Sequence, residues 1–263
     1  MPLTIRWVGD SFVLDWSPHG RSLLVQGRDL NDRRGIYQID VQTGAATPIV
    51  QGCCVRWPTW VPDGNVVFVS WEGRGDTVRV VARDLETGNE RELQRIPPPA
   101  YLSELAASPD GRWLAFFRSS VPAWSQEEGE WTLVTMPLAG GSLRVLARPS
   151  VQSRRILNRG FPRLVWDSDS RHLIYAINSV RDGQSAVSLW RVAVDDGQPQ
   201  ILGPAIEGFW LHSLSAHPNG HQVAFIGEYW DEQPPIGAKE DPIDSAEEMW
   251  VLEDFLPPLE ARR

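Results

Sequence analysis

The strongest constraint on this chain is a short motif that occurs five times. The copies are DWSPHGRSLLV at 15–25, TWVPDGNVVFV at 59–69, AASPDGRWLAF at 106–116, VWDSDSRHLIY at 165–175 and SAHPNGHQVAF at 215–225. Successive copies start 44, 47, 59 and 50 residues apart. Each reads as a strand, a tight turn and an apolar strand, because Pro presets φ and Gly supplies the positive φ at which the chain reverses. A second motif follows the first four copies: GIYQIDVQTG at 35–44, TVRVVARDLETG at 77–88, WTLVTMPLAGG at 131–141 and SLWRVAVDDG at 188–197. The short segments TPIVQG, RELQRI, SLRVLAR and PQILG then supply a further strand to each unit. Four strands repeated at about 50 residues predict an all-β fold, a β-propeller of about five four-stranded blades.

The whole of 1–263 is expected to form one propeller domain, with blades near 10–51, 52–97, 98–148, 149–204 and 205–258. The fifth unit ends on its third strand, MWVLEDFLPP at 249–258, whereas PLTIRWVG at 2–9 resembles the fourth-strand segments. The N-terminal strand is therefore expected to complete the last blade, removing edges that would template aggregation. The alternative is a larger ring of which these strands are a part. A closed ring predicts a monomer, and an open one a dimer.

The turn spanning Trp16 to Gly20, and again Ser108 to Gly111, is similar to the TolB-like, WD-type propeller repeat of bacterial proteins. The resemblance covers nearly the whole chain. The fourth copy departs from it with Ser168 for Pro and Ser170 for Gly, and the fifth with His217 for Ser. EMWVLEDFLP looks like the C-terminal end of members attached to bacterial regulators. The resemblance implies a non-catalytic protein-interaction or scaffold module, the sensory part of a regulator among the options, although fold alone does not give function.

Composition narrows the classes. With 42% hydrophobic and 22% charged residues the chain is globular, and at this length it buries roughly 75% of its unfolded surface, which calls for neither disulfide nor metal. A net charge of −9 argues against nucleic acid as a partner. No stretch approaches 18 apolar residues and the N-terminus lacks a signal-peptide pattern, so no membrane insertion is expected. The chain as it stands reads as cytoplasmic, or as periplasmic if it is one domain of a longer protein. The only cysteines, Cys53 and Cys54, are adjacent and fit no zinc spacing, so they read as two reduced, partly buried thiols.

In four-stranded blades the tight turns share one face, while the second-to-third loops and the links between blades share the other. Long, varied loops on a rigid scaffold are where recognition concentrates, so the second face is expected to bind a protein or peptide partner. It carries Arg28–Arg34, Trp71–Asp76, Ser119–Glu130, Asn178–Ser185 and an acidic loop over 228–248 that holds Trp230. The link between the third and fourth units places Arg154, Arg155, Arg159 and Arg163 together, a donor cluster for carboxylate or phosphate or a partner for that acidic loop. On the innermost strands the position three before the repeat Trp is Val13, Trp57, Glu104, Arg163 and Ser213. Trp57, Glu104 and Arg163, with Arg56 and His212 one residue away, are candidates for a pocket at the channel mouth; the alternative is packing between blades.

Catalytic signatures are weak. A glycosidase needs two carboxylates about the scissile bond, and only Glu104 is an acid at that inner position, Asp15 lying nearer the turns. No hydrolase elbow, zincin or phosphate-loop pattern occurs. His217 and His221 flank a turn and are assigned no metal, and no cofactor is expected. The rivals to a binding module are a glycan- or peptide-processing enzyme, for which Glu104 is the test residue, and a sensor of a small anion. Trp16, Trp60 and Trp166 recur at equivalent positions and read as repeat-core residues.

Overall fold

A computed structural model describes residues 12–29, 31–72, 77–98, 101–121, 130–149, 162–181, 184–217, 220, 222–229 and 248–253. All the regular structure in them is antiparallel β. The first sheet is β1 (Phe12–Trp16), β2 (Ser22–Arg28), β3 (Arg34–Asp40) and β4 (Ala46–Gln51), paired in chain order. The second repeats that order with β5 (Val55–Trp60), β6 (Val66–Glu72), β7 (Thr77–Arg83) and β8 (Glu90–Ile96). In the third, β9 (Tyr101–Leu102) and β10 (Ala106–Ala107) both pair with β11 (Trp113–Ser119), followed by β12 (Trp131–Pro137) and β13 (Arg144–Ala147). The fourth is β14 (Arg163–Trp166), β15 (His172–Arg181), β16 (Gln184–Ala193) and β17 (Pro199–Ile201), with β18 (Ile206–Glu207) also on β16. The fifth is β19 (Phe209–Ala216), β20 (Gln222–Tyr229) and β21 (Glu248–Glu253). The expected N-terminal closing strand, together with Arg154, Arg155, Arg159, Trp230 and His221, lies outside the described residues.

The five repeated motifs form turns built on the same three-residue closure, the second one residue shorter than the rest. The backbone N–H of Ser17, Ser108, Asp167 and His217 donates to the carbonyl five residues on and that of Val61 to the carbonyl four on, while that of Gly20, Gly64, Gly111, Ser170 and Gly220 donates three residues back. That last position has positive φ in every copy, including Ser170 at 56°. A serine there accepts the left-handed conformation that the fold demands, which is why the divergent fourth copy still turns.

The packing is face to face, and β6 shows how. Val66, Val67, Phe68 and Val69 are all buried, yet they serve two cores. Val66 and Phe68 pack with Leu24, Ile36 and Ile49 of the first sheet, while Val67 and Val69 pack with Leu114, Phe116 and Met136 of the third. A strand with a period-two pattern and both faces apolar must lie between two neighbours. The same logic joins the fourth and fifth sheets, where Ile174, Val187 and Leu189 meet Phe209, Leu211 and Phe225.

Contacts divide the chain into two compact units, 1–122 with 134–144 and 123–133 with 145–263. Trp60 and Trp166 are buried repeat-core residues as expected, but Trp16 is 58% exposed. Trp60 packs back onto the preceding sheet, whereas the first sheet has none before it among the described residues. The expected long loop over Asn178–Ser185 is also corrected: β15 and β16 run on until Arg181 lies opposite Gln184, as an extended hairpin.

Candidate functional site

The innermost strands do not run straight. Trp57 and Pro58 of β5 face a single residue of β6, since Arg56 lies opposite Val69 and Thr59 opposite Val67. In the first sheet the same irregularity falls between Val13 and Asp15, and in the fifth between Leu211 and Ser213, at His212. In the third, Leu102 lies opposite Arg118 and Ala106 opposite Ala115, so Ser103, Glu104 and Leu105 face two residues of β11. Four of the five innermost strands thus gain one residue near the same repeat position. Such bulges re-aim side chains and free backbone groups. Trp57 and Glu104, aligned by spacing alone, and His212, one residue from the aligned Ser213, all sit at one. Arg163 sits in regular pairing opposite Ala176.

Beside the Trp57 bulge, next to Arg56, the first two sheets form an open cleft of about 150 Å³. Gln26, Gly27 and Arg28 at the end of β2, Arg34 and Gly35 at the start of β3, and Arg56 are among its lining residues, with Gly52 and Cys53 from the link between sheets. Gly27 and Gly35 lie directly opposite one another in the ladder, so no side chains fill the space between strand ends. A Cβ on Gly35 would collide with the Val50 carbonyl oxygen. Trp57 has φ of 52°, a conformation that a bulky residue before proline adopts only under constraint, at a cost of about 1–3 kcal/mol. Its backbone N–H donates to Gln26 Oε1 at 3.0 Å, holding the bulge to the neighbouring sheet.

The charge around the cleft is one-sided. Arg28 pairs with Asp32 at 2.6 Å and Arg33 with Asp29 at 2.7 Å, which orders the loop between β2 and β3. Among the described residues Arg34 and Arg56 have no ion-pair partner, and no acidic residue lines the cleft. Two guanidinium groups beside glycine backbone make a donor surface for a carboxylate or phosphate. The arginines lie on the loop-and-link end of the sheets, where recognition was expected. Of the two, Arg56 was singled out from the sequence and Arg34 was only placed on that face.

Asp15 is a second feature of the same unit. Its carboxyl is pushed up to about 6, first by burial and also by the negative charge of Glu104, against hydrogen bonds from the backbone of Trp16 and Trp60 that lower it. By surface area the residue is exposed, so the burial acts on a carboxyl crowded by surrounding chain and still in reach of water. The structure thus puts Asp15 within electrostatic reach of Glu104, which its position in the repeat did not suggest.

In the second unit, His212 Nε2 lies 3.1 Å from Glu228 Oε1. Asp167, Asp169 and His172 group their ligand-type atoms within 4.8 Å, but Arg191 already sits there, 2.9 Å from Asp167 Oδ2 and 3.7 Å from Asp169 Oδ2. A guanidinium in that position supplies the positive charge that the two carboxylates need.

No family model matches the chain, and no curated protein matches it in sequence. Among solved structures it is similar to a TolB candidate from Agrobacterium tumefaciens, at 18% identity and a TM-score of 0.63, over 93% of this chain and 77% of that one. It is similar to TolB from Acinetobacter baumannii at 15% identity and a TM-score of 0.58, over 93% of this chain and 50% of the other, so it spans half the length of that protein. An oligogalacturonate lyase from Vibrio parahaemolyticus matches at 15% identity and a TM-score of 0.54, over 97% and 78%. The fold is a TolB-like β-propeller, and the antiparallel sheets, mostly of four strands, are consistent with its blades. Oligogalacturonate lyases and acylaminoacyl peptidases are among the other solved structures similar to it. No helix among the described residues is long and apolar enough to cross a membrane.

Proposed function

We propose that this propeller is a non-catalytic binding module that takes an acidic segment of a protein partner into the arginine cleft of its first two blades. The observation that carries this reading is the pair Arg34 and Arg56, which line the cleft without an ion-pair partner among the described residues, in a lining that holds no acidic residue. The cleft's size supports a peptide anchor: about 150 Å³ falls below the roughly 300–1,000 Å³ that enclose a drug-sized ligand, yet admits one acidic side chain. TolB among the structural neighbours is consistent with a binding role.

The test is fluorescence anisotropy with a labelled glutamate-rich peptide at low salt. Binding should weaken as salt rises, and the double variant Arg34→Ala/Arg56→Ala should lose at least about tenfold in affinity with its melting temperature unchanged. An affinity that the double variant leaves intact would remove the cleft from the function.

One observation favours an enzyme as a second reading, namely Asp15 held near 6 beside Glu104, a carboxyl tuned toward neutral pH as acid–base catalysts are. On that reading an oligouronate is turned over and Glu104→Gln abolishes turnover without unfolding. Incubation with oligogalacturonate, scored for new products, separates the two.

A further inference from the structure

We infer that Cys53 and Cys54 form a reversible vicinal dithiol–disulfide site on the link between the first two blades, closed by exchange with a small-molecule disulfide. The two are the only cysteines in the chain, and both are free thiols with their Sγ atoms 3.0 Å apart. The link that carries them is pinned at both ends. The Gly52 N–H donates to the Arg34 carbonyl at 2.9 Å, and the Cys54 carbonyl accepts from the Trp71 N–H at 2.9 Å. Between those anchors the side chains converge, so closing the ring asks for a short approach of two sulfurs and no rearrangement of the sheets.

Access is also present. Cys53 is exposed and lines the arginine cleft, while Cys54 is half-buried and lines an adjoining groove with Phe68 and Arg79. The Cys54 thiol is held above its ordinary value, first by its hydrogen bond with Cys53 and then by burial, while Arg56 pulls the other way. Exposed Cys53 is therefore the thiol that an external disulfide meets first. Its thiolate attacks one sulfur of R–S–S–R, the S–S bond breaks, and one R–S⁻ leaves and takes up a proton. Cys54, as thiolate, then attacks the Cys53 sulfur of the mixed disulfide and expels the second R–S⁻. The two cysteines are oxidised together, the external disulfide is reduced to two thiols, and the two protons go with them. Neighbouring Cα atoms lie about 3.8 Å apart, short of the roughly 4.4–6.8 Å of ordinary disulfides, so the bond is of the strained, readily reduced kind that suits a switch and not a structural staple.

The full chain, reduced and then incubated with oxidised glutathione, tests this by intact mass and by alkylation with iodoacetamide. The expected product is a monomer lighter by two hydrogens, with no adduct, in which both cysteines resist alkylation until dithiothreitol is added. Cys53→Ser and Cys54→Ser should each stop at a glutathione adduct on the remaining thiol. A stable adduct on the unsubstituted chain, a disulfide-linked dimer, or two thiols that remain alkylatable would each overturn the inference. None of these readouts depends on what the arginine cleft binds.

Discussion

Two joints between neighbouring blades use the same device and end differently. In the fourth blade, Asn178 of β15 reaches the bulged inner strand of the fifth, its Nδ2 donating to the Leu211 carbonyl at 2.9 Å and its Oδ1 accepting from the Leu211 N–H at 3.0 Å. In the first blade, Gln26 of β2 reaches the bulged inner strand of the second, and its Oε1 accepts from the Trp57 N–H. Both amides satisfy backbone groups at or next to a bulge. Asn178 is 3% exposed and its joint is sealed, whereas Gln26 lines an open cleft among arginines. A bulge that is closed over is part of the architecture. One left open, with charge gathered round it, is where a ligand can be held.

The sharpest way to break that comparison is to remove the sealed amide. Asn178→Ala leaves a buried N–H and a buried carbonyl of Leu211 without their partner, at about 1–3 kcal/mol for each unsatisfied group. The variant is expected to lose about 3 kcal/mol overall, a fall in melting temperature of roughly 6–12 °C at this size, as read by thermal unfolding. Gln26→Ala should be milder, about 1 kcal/mol, because water reaches its joint. It should also weaken glutamate-peptide binding by at least about threefold, since Gln26 positions the bulge at the cleft. If the two variants destabilise equally, the first joint is no more open than the second.

Much of this was legible in the chain before its structure. Pro, Asp and Gly at fixed offsets fix the five hairpins locally, and aligning the hairpins located Trp57, Glu104 and His212 near the bulges. The bulges themselves were not legible, because one extra residue on an inner strand shows only in its register against the next strand. The cleft was hidden because it lies between two sheets: Gly27 opposes Gly35 within the first, and only the packing of the second sheet beside it brings Arg56 to the opening that Arg34 lines. Trp16 was misread because its burial depends on a neighbouring blade and not on its own motif. Arg154, Arg155, Arg159 and Trp230, named from charge and position, fall outside the described residues.

Asp15 offers the smallest and most specific probe of what an open inner strand costs. Its carboxyl titrates near 6 in the folded chain against an ordinary value of 3.8, so between those pH values the folded state holds more protons than the unfolded one. Stability must then fall as pH rises through that window, the reverse of the usual salt-bridged aspartate. The residue is exposed to water, which reduces the effect to under about 1 kcal/mol. Asp15→Asn keeps an oxygen that can accept the Trp16 and Trp60 hydrogen bonds while removing the charge that burial and Glu104 oppose. The variant should therefore melt slightly higher than the unsubstituted chain at pH 7, equal it near pH 4, and show a flatter stability profile between. A variant less stable at pH 7 would mean that the charged carboxylate, held by those two backbone groups, is what the first blade's inner strand requires.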